Sequence, residues 1–364
     1  MLDHPLRLAF ALPGFHRVDR GAEVALLSVA QELALLGHAV TVFGSGQPRE
    51  GTAYRFHHVP AVPRERFERF PFFPPLRSDV SWEDLTFASA LLRHYRPADF
   101  DAVLTCSFPF TQLALRRPAP GGARPRQIFV TQNGDWPARA RNAEYRFFRC
   151  DGLVCINPDY FADNRDRWRC ALIPNGADLQ RFTPGPGDRA RFGLPEDRPV
   201  VLMVSALIES KRVLDGIRAV AQLDRAHLVV AGDGPLRTEA ENLAQQQLPG
   251  RFSRLSLSAA DMPALYRSAD ALLHMSLAES FGNVFVEAMA CGLPVVGHDS
   301  PRLRWIVGDT AFLCDTRDPA ALGQQLAAAL IERQRERPAE VARFAWSAIA
   351  GQYQDFLRIC CAAA

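Results

Sequence analysis

Lysine is almost missing from this chain: of its 42 lysines plus arginines, Lys211 alone is a lysine and the other 41 are arginines. Other absences bound the function. No stretch approaches the ~18 consecutive apolar residues that a membrane-spanning helix needs, so the chain reads as soluble or at most peripheral. The eight cysteines (Cys106, Cys150, Cys155, Cys170, Cys291, Cys314, Cys360 and Cys361) form no C-x-x-C pair and no metal-ligand spacing with the nine histidines, which argues against a metal-built scaffold. Several lie inside apolar runs, where free cysteine behaves as a small hydrophobe. With no signal peptide in view, that usage points to a reducing cytoplasm. A net charge of +2 lacks the basic excess of a nucleic-acid binder, and no nucleic-acid partner is expected.

What is present is ordinary globular composition, 48% hydrophobic and 23% charged over 364 residues. That length exceeds the size at which one core usually stops growing, so two domains are expected.

The one lysine sits in the loop Val204-Ser205-Ala206-Leu207-Ile208-Glu209-Ser210-Lys211-Arg212, between the apolar run Pro199 to Val204 and the helix-like stretch Val213 to Leu223. A buried strand that opens through a loop onto a helix N-terminus is a common anion site in α/β proteins. An ammonium there suits a diphosphate as a compact point charge.

Short apolar runs alternate with helix-like stretches along the whole chain. In the first half the runs are Leu6 to Leu12, Ala39 to Phe43, Ala102 to Thr105, Ile128 to Thr131, Leu153 to Ile156 and Ala171 to Ile173. A second series begins near Pro199 with Val200 to Val204, Ala226 to Ala231, Phe252 to Leu257, Ala271 to His274, Leu293 to Gly297 and Ala311 to Cys314. The alternation predicts parallel sheets covered on both faces. The simplest architecture is two doubly wound α/β domains facing each other across a cleft at the carboxyl ends of their strands. Two segments stand apart. Arg64 to Arg77 carries Pro71, Pro74 and Pro75 and four phenylalanines among arginines; it excludes a central strand and reads as a packed irregular loop, a lid, an acceptor loop or a membrane-surface patch. Arg139 through Arg141 to Arg149 places arginines and aromatics on a helix-like stretch, an amphipathic domain helix or a lipid-facing one.

The densest chemistry lies between Ala278 and Val296. Seven residues separate Glu279 from Glu287, so a helix starting near Gly282 leaves Glu279 in the preceding loop and places Glu287 about one and a half turns in. The two carboxylates then meet different parts of one ligand. Gly282 lets a ligand approach the backbone amides of Phe281, Asn283 and Val284, which carry the partial positive charge of a helix start. Carboxylates accept from vicinal diols, so one glutamate can hold a donor sugar and the other a ribose.

The stretch from His274 to Val296 resembles the E-x7-E region of retaining glycosyltransferases of the GT-B fold, family 4. Other pieces follow in that family's order: Ile173-Pro174-Asn175-Gly176-Ala177-Asp178 with Phe182, Ala231-Gly232-Asp233-Gly234-Pro235, the helix Met262 to Ala271, and at the N-terminus Gly21-Ala22-Glu23 and Gly37-His38-Ala39-Val40. The resemblance implies an N-terminal acceptor domain over residues 1–175, with a C-terminal helix of about 345–364 packing back on it, and a donor domain over 176–344. It implies a nucleoside-diphosphate sugar, a UDP- or GDP-sugar, held by Lys211, Arg212, Gly21, Gly232, Leu257 and the E-x7-E residues Glu279, Phe281, Gly282, Asn283, Val284 and Glu287. Lys211 then neutralises the diphosphate, Glu279 orients the sugar and Glu287 holds the ribose diol.

The family works without a metal, and this chain offers no Asp-x-Asp in a loop after a strand; Asp99-Phe100-Asp101 precedes an apolar run and reads as a strand start. No metal or other cofactor is expected. Two positions depart from the family. Ser205-Ala206 stands where Gly-Arg is usual, leaving the second diphosphate cation to Arg212 or Arg20. Gln132 stands near the place of a usual histidine, with Asp135 the nearest ionisable group; Gln132, Lys211 and Glu279 are the expected catalytic set.

The expected activity is retaining, same-face transfer of a hexose-type sugar to a glycan, lipid-linked or small-molecule acceptor, with peripheral contact at the inner membrane face as a further expectation. A nucleotide-sugar epimerase of GT-B type would need acid and base carboxylates on both faces of the sugar, and the N-terminal half shows no such cluster. A non-catalytic sugar or nucleotide binder of periplasmic type would carry an export signal.

Overall fold

The computed structural model describes residues 4–140, 145–308, 312–332, 336 and 339–362. It resolves into two units: residues 1–175 with the final helix, and residues 176–345.

The first unit is built on seven strands, β1 (Arg7–Ala11), β2 (Ala39–Gly44), β3 (Arg55–His58), β4 (Ala102–Thr105), β5 (Arg126–Val130), β6 (Gly152–Cys155) and β7 (Cys170–Leu172), in the order β3-β2-β1-β4-β5-β6-β7. Every pairing is parallel. β4 and β6 are buried along their whole length, which is why they appear in the sequence as unbroken apolar runs. β3 left no such run: Arg-Phe-His-His is mostly exposed, as befits an edge strand blunted by polar side chains. The helices are α1 (Gly21–Leu35), α2 (Asp79–His94), α3 (Phe110–Leu115), α4 (Trp136–Arg139) and α5 (Pro158–Asn164).

α1 stops in a Schellman motif, with the His38 amide bonding the Leu33 carbonyl at 3.1 Å and Gly37 that of Ala34 at 3.0 Å, as the helix-to-strand glycine predicts. α2, not anticipated from the sequence, starts at a reciprocal capping box between Ser78 and Ser81. Its buried Asp84 accepts from Ser107 and Thr111 hydroxyls and from the Phe110 amide, fixing the start of α3.

The arginine, proline and phenylalanine segment is a packed loop. After a 3-10 turn at Arg64–Phe67, Phe67 stacks on Trp82 of α2 at 5.7 Å, and Phe70 and Phe73 meet the same indole edge-on at 5.4 and 6.1 Å. The helix expected over Arg139 to Arg149 is not formed as one piece by the described residues. α4 ends where Ala140 turns extended (ψ 143°), and Phe148 is buried beside Phe129 instead of lying on a helix face. Arg141 itself lies outside the described residues. No helix among the described residues is long and apolar enough to cross a membrane.

The second unit carries six parallel strands, β8 (Val200–Val204), β9 (His227–Ala231), β10 (Phe252–Leu255), β11 (Ala271–His274), β12 (Val295–His298) and β13 (Phe312–Cys314), in the order β10-β9-β8-β11-β12-β13; Ala311, expected to open the last strand, is outside the described residues. Helices α6 (Val213–Ala221), α7 (Arg237–Gln247), α8 (Met262–Ser268), α9 (Asn283–Ala290), α10 (Pro301–Val307) and α11 (Pro319–Glu332) cover it. The last helix, α12 (Trp346–Ala362), belongs to the first unit, where it packs along α1 and buries Ile349, Tyr353, Phe356 and Cys360 at helical spacing. All eight cysteines are free thiols.

In both sheets the strand order reverses direction once, between β1 and β4 and between β8 and β11. Open parallel sheets bind ligands outside the carboxyl ends of the strands at that reversal.

Candidate active site

The reversal in the second unit gathers the chemistry. The loop after β8 carries Lys211 in a one-turn 3-10 helix, Glu209–Lys211. The loop after β11 carries Glu279. The two side chains, 24% and 18% exposed, form an ion pair through Lys211 Nζ and Glu279 Oε1. His274, the last residue of β11, is bonded through Nε2 to the same Oε1 at 2.8 Å. Its buried ring stands edge-on to Phe285 at 4.8 Å. Arg302, in the first turn of α10, donates to the Glu279 carbonyl. Burial alone would raise the Glu279 carboxyl, but His274 and then Lys211 hold it down to about 2. Glu279 is therefore a fixed anion across the physiological range.

Gly282 follows as the N-cap of α9 with φ +83°, and a Cβ there would lie 2.6 Å from the Phe285 ring. Only glycine fits both the backbone and the neighbour. No side chain caps α9 at that residue. Phe281 is buried, edge-on to Phe344 at 5.9 Å, so only its backbone is in a position to serve a ligand; Asn283 and Val284 are half-buried in the first turn. Glu287, one and a half turns in, accepts the Tyr266 hydroxyl on Oε2 at 2.8 Å. Burial raises its carboxyl, against the lowering by Tyr266 and Arg181.

That shift has a sign. A carboxyl raised above its ordinary 4.5 contributes stability that is full below the unfolded value and is lost as pH climbs through the folded one. Glu287→Gln, which keeps an acceptor for Tyr266, is expected to melt a few degrees above the wild type near pH ~8, with the gap closing toward pH ~4. A gap that is constant with pH in melting curves would contradict this.

Three other expected donor residues follow β8, β9 and β10. Arg212, at φ +50°, caps the start of α6 and donates to Asp215 at 2.9 Å, to the Met275 carbonyl at 3.2 Å and to Thr316 Oγ1 at 3.0 Å. Its guanidinium thus ties the β8 loop to the end of β11 instead of standing beside Lys211 as a second open cation. Gly232 follows β9 at φ +151°, where a Cβ would lie 2.0 Å from the Ser205 carbonyl; it lets the two loops touch. Leu257 is half-buried and lies beyond β10, which ends at Leu255 rather than continuing through the apolar run.

In the first unit Gly21 opens α1 in open space, with no neighbour within 4 Å of where a Cβ would stand, and the Arg20 N-cap makes no side-chain capping bond. Gln132, past the end of β5, exchanges two hydrogen bonds with Asn175, at 2.5 and 3.0 Å. Asp135 is buried and accepts from Asn164 at 2.9 Å, a structural use. In the second unit Ser300 caps α10 and Asp299 pairs with Arg304 at 2.6 Å. His274, Tyr266, Arg302 and Asn175 were assigned no role from sequence. His274 left a signal, a polar residue closing the apolar run of β11; Arg302 left none, because its contact is to a backbone oxygen 23 residues away.

Two parallel doubly wound units with this loop chemistry define the GT-B class of glycosyltransferase fold. Sucrose-phosphate synthase from Thermosynechococcus elongatus superposes with a TM-score of 0.79 over 99% of this chain and 100% of its own, at 22% identity. Anabaena HepE in complex with UDP-glucose does so at 0.72 over 97% and 100%, at 18% identity. The profile of Glycosyl transferases group 1 matches residues 186–344, and that of Glycosyltransferase Family 4 matches residues 20–181. A D-inositol 3-phosphate glycosyltransferase of Xylanimonas cellulosilytica is 30% identical over 92% of this chain and 90% of its own length. The chain belongs to glycosyltransferase family 4. Against other relatives of that name the matched stretch spans only 33% to 59% of their length.

Proposed function

We propose that the protein is a retaining glycosyltransferase that moves a hexose-type sugar from a UDP-sugar to a hydroxyl acceptor without a metal ion. The observation that carries this reading is the Lys211 and Glu279 pair at the strand reversal of the second unit. Lys211 supplies the compact cation that a leaving diphosphate needs, and the amides opening α9 add partial positive charge. Glu279 accepts from hydroxyls of the donor sugar, and Glu287, steadied by Tyr266, from the ribose diol. UDP is favoured over GDP because the neighbour HepE carries UDP-glucose in its structure. The acceptor is a glycan, a lipid-linked sugar or a small polyol; the name of the Xylanimonas relative makes D-inositol 3-phosphate the first acceptor to try.

Transfer on one face balances without an enzyme nucleophile. The bond from the anomeric carbon to the diphosphate oxygen breaks, the acceptor oxygen bonds the same face of that carbon, and the departing phosphate oxygen takes the acceptor proton. This differs from the two-carboxylate glycosidase pattern. Work on the inner face of a membrane is a further part of the proposal for lipid-linked acceptors, supported by the arginines and exposed Phe70, Phe72 and Phe73 of the 64–77 loop; pelleting with anionic vesicles tests it.

Thermal stabilisation by UDP, GDP, ADP, dTDP and CMP, each with and without magnesium, tests the donor reading. A ligand that binds only the folded protein adds roughly 2.7 kcal/mol at a hundredfold excess over Kd. A magnesium-independent shift with UDP is the expected result. No shift with any nucleotide would overturn the reading.

A further inference from the structure

Lys211 and His274 converge on one atom. Both contact Glu279 Oε1, while Arg302 holds the carbonyl of the same residue. Oε1 has two acceptor positions and both are taken, and neither of these contacts among the described residues uses Oε2, the oxygen that can serve a ligand. A diphosphate arriving at Lys211 competes with Glu279 for the ammonium, and a half-buried carboxylate that loses its donor is costly. The structure contains the remedy, a second donor already in place and a backbone clamp that keeps the loop from following Lys211 as it turns away.

We infer that the Lys211 and Glu279 pair is a latch which the donor diphosphate opens, and that His274 is the positioning residue that keeps Glu279 in place when Lys211 leaves it. This deepens the donor reading above and rests on it. His274 touches no reacting atom. It acts through Glu279, by holding Oε1 so that Oε2 stays directed at the sugar, and by making Lys211 available at lower free-energy cost. Its ring is fixed for this task by burial and by the edge-on contact with Phe285. Without His274, Lys211 becomes the one side-chain donor to the Glu279 carboxylate among the described residues, and phosphate must compete for it.

A thermodynamic cycle tests the inference. UDP binding to the full chain is measured by calorimetry for the wild type, His274→Ala, Glu279→Gln and the double variant. His274→Ala is expected to weaken UDP about tenfold, the size of losing one hydrogen bond to a charged group. Glu279→Gln, which frees Lys211, is expected to bind UDP at least as tightly as the wild type. In the Glu279→Gln background His274→Ala should change affinity less than about twofold, because the group it serves is no longer charged. His274→Gln, whose amide nitrogen can stand in for Nε2, should recover UDP affinity to within about threefold. An equal loss from His274→Ala in both backgrounds would reduce the histidine to a packing residue and overturn the latch, as would no loss in either. A wild type that binds none of the nucleotides overturns the donor reading itself, and the latch with it.

Discussion

Lys211→Ala is expected to lower kcat/KM for sugar transfer by roughly 100- to 1,000-fold, the usual effect of removing one pre-aimed group from a developing charge. The reason is the singular placement of this cation. Arg212 is its sequence neighbour, but its guanidinium bonds Asp215, Met275 and Thr316, and Ala206 stands where the family usually has arginine. On the proposed reading Lys211 therefore carries the diphosphate charge with the α9 amides. The variant should lose the stabilisation by UDP as well as turnover, while its melting temperature without nucleotide stays within a few degrees, because Lys211 is 24% exposed and His274 still holds Glu279. Lys211→Arg is expected to restore little, since a planar fork on a short 3-10 turn cannot turn from Oε1 to a phosphate as a compact point charge can. Released nucleotide, from transfer or from donor hydrolysis, gives the rate. Turnover within threefold of the wild type would remove Lys211 from the site.

Much of this was legible in the residues alone. Buried parallel strands are continuous apolar runs, so twelve of the thirteen strands among the described residues are recognisable by residue type; β3 is hidden because an edge strand needs no apolar run. The loop position of Glu279 and the helical position of Glu287 followed from glycine and spacing, since Gly282 dictates where α9 can start. What was not legible depends on atoms meeting across the sheet. Arg212 looks like a ligand cation in sequence because its neighbour is Lys211, yet its partners Met275 and Thr316 lie 63 and 104 residues away. The convergence of Lys211 and His274 on one oxygen is equally invisible, because β8 and β11 are adjacent only once the order β9-β8-β11-β12 is formed. The helix expected over Arg139 to Arg149 failed for a related reason: Phe148 and Tyr145 pack with Phe108 into a local core, which overrides an amphipathic pattern read along the chain.

The contrasting variant is Asp270→Ala, expected to destabilise the second unit by about 3 to 5 kcal/mol while leaving donor affinity intact. Asp270 ends the helix segment that resembles the family's L-Y-x-x-A-D, and the structure gives it a structural task. Its side chain is 1% exposed, and Oδ2 accepts from Arg189 at 2.6 Å and from the Val200 amide, the first of β8, at 2.8 Å. Arg189 is itself only 15% exposed and donates to the carbonyls of Ser268, Pro195 and Arg198 at 3.0 to 3.2 Å. One carboxylate thus pins the glycine- and proline-rich segment before β8 to the start of β11. Alanine would leave a buried guanidinium without its counter-ion and a strand amide without its acceptor, and both are costly. At roughly 2 to 4 °C per kcal/mol for a unit of this size, Tm should fall by about 6 to 20 °C. Asp270→Asn, which retains one acceptor oxygen but not the charge, should fall between. Adding Arg189→Ala to Asp270→Ala should cost less than the sum of the two single changes, because the second removes the charge that the first had orphaned. Below its melting transition the Asp270→Ala protein should bind UDP within about threefold of the wild type. A Tm loss under about 3 °C would mean that water replaces the carboxylate at this site and that the segment before β8 is held by its other contacts.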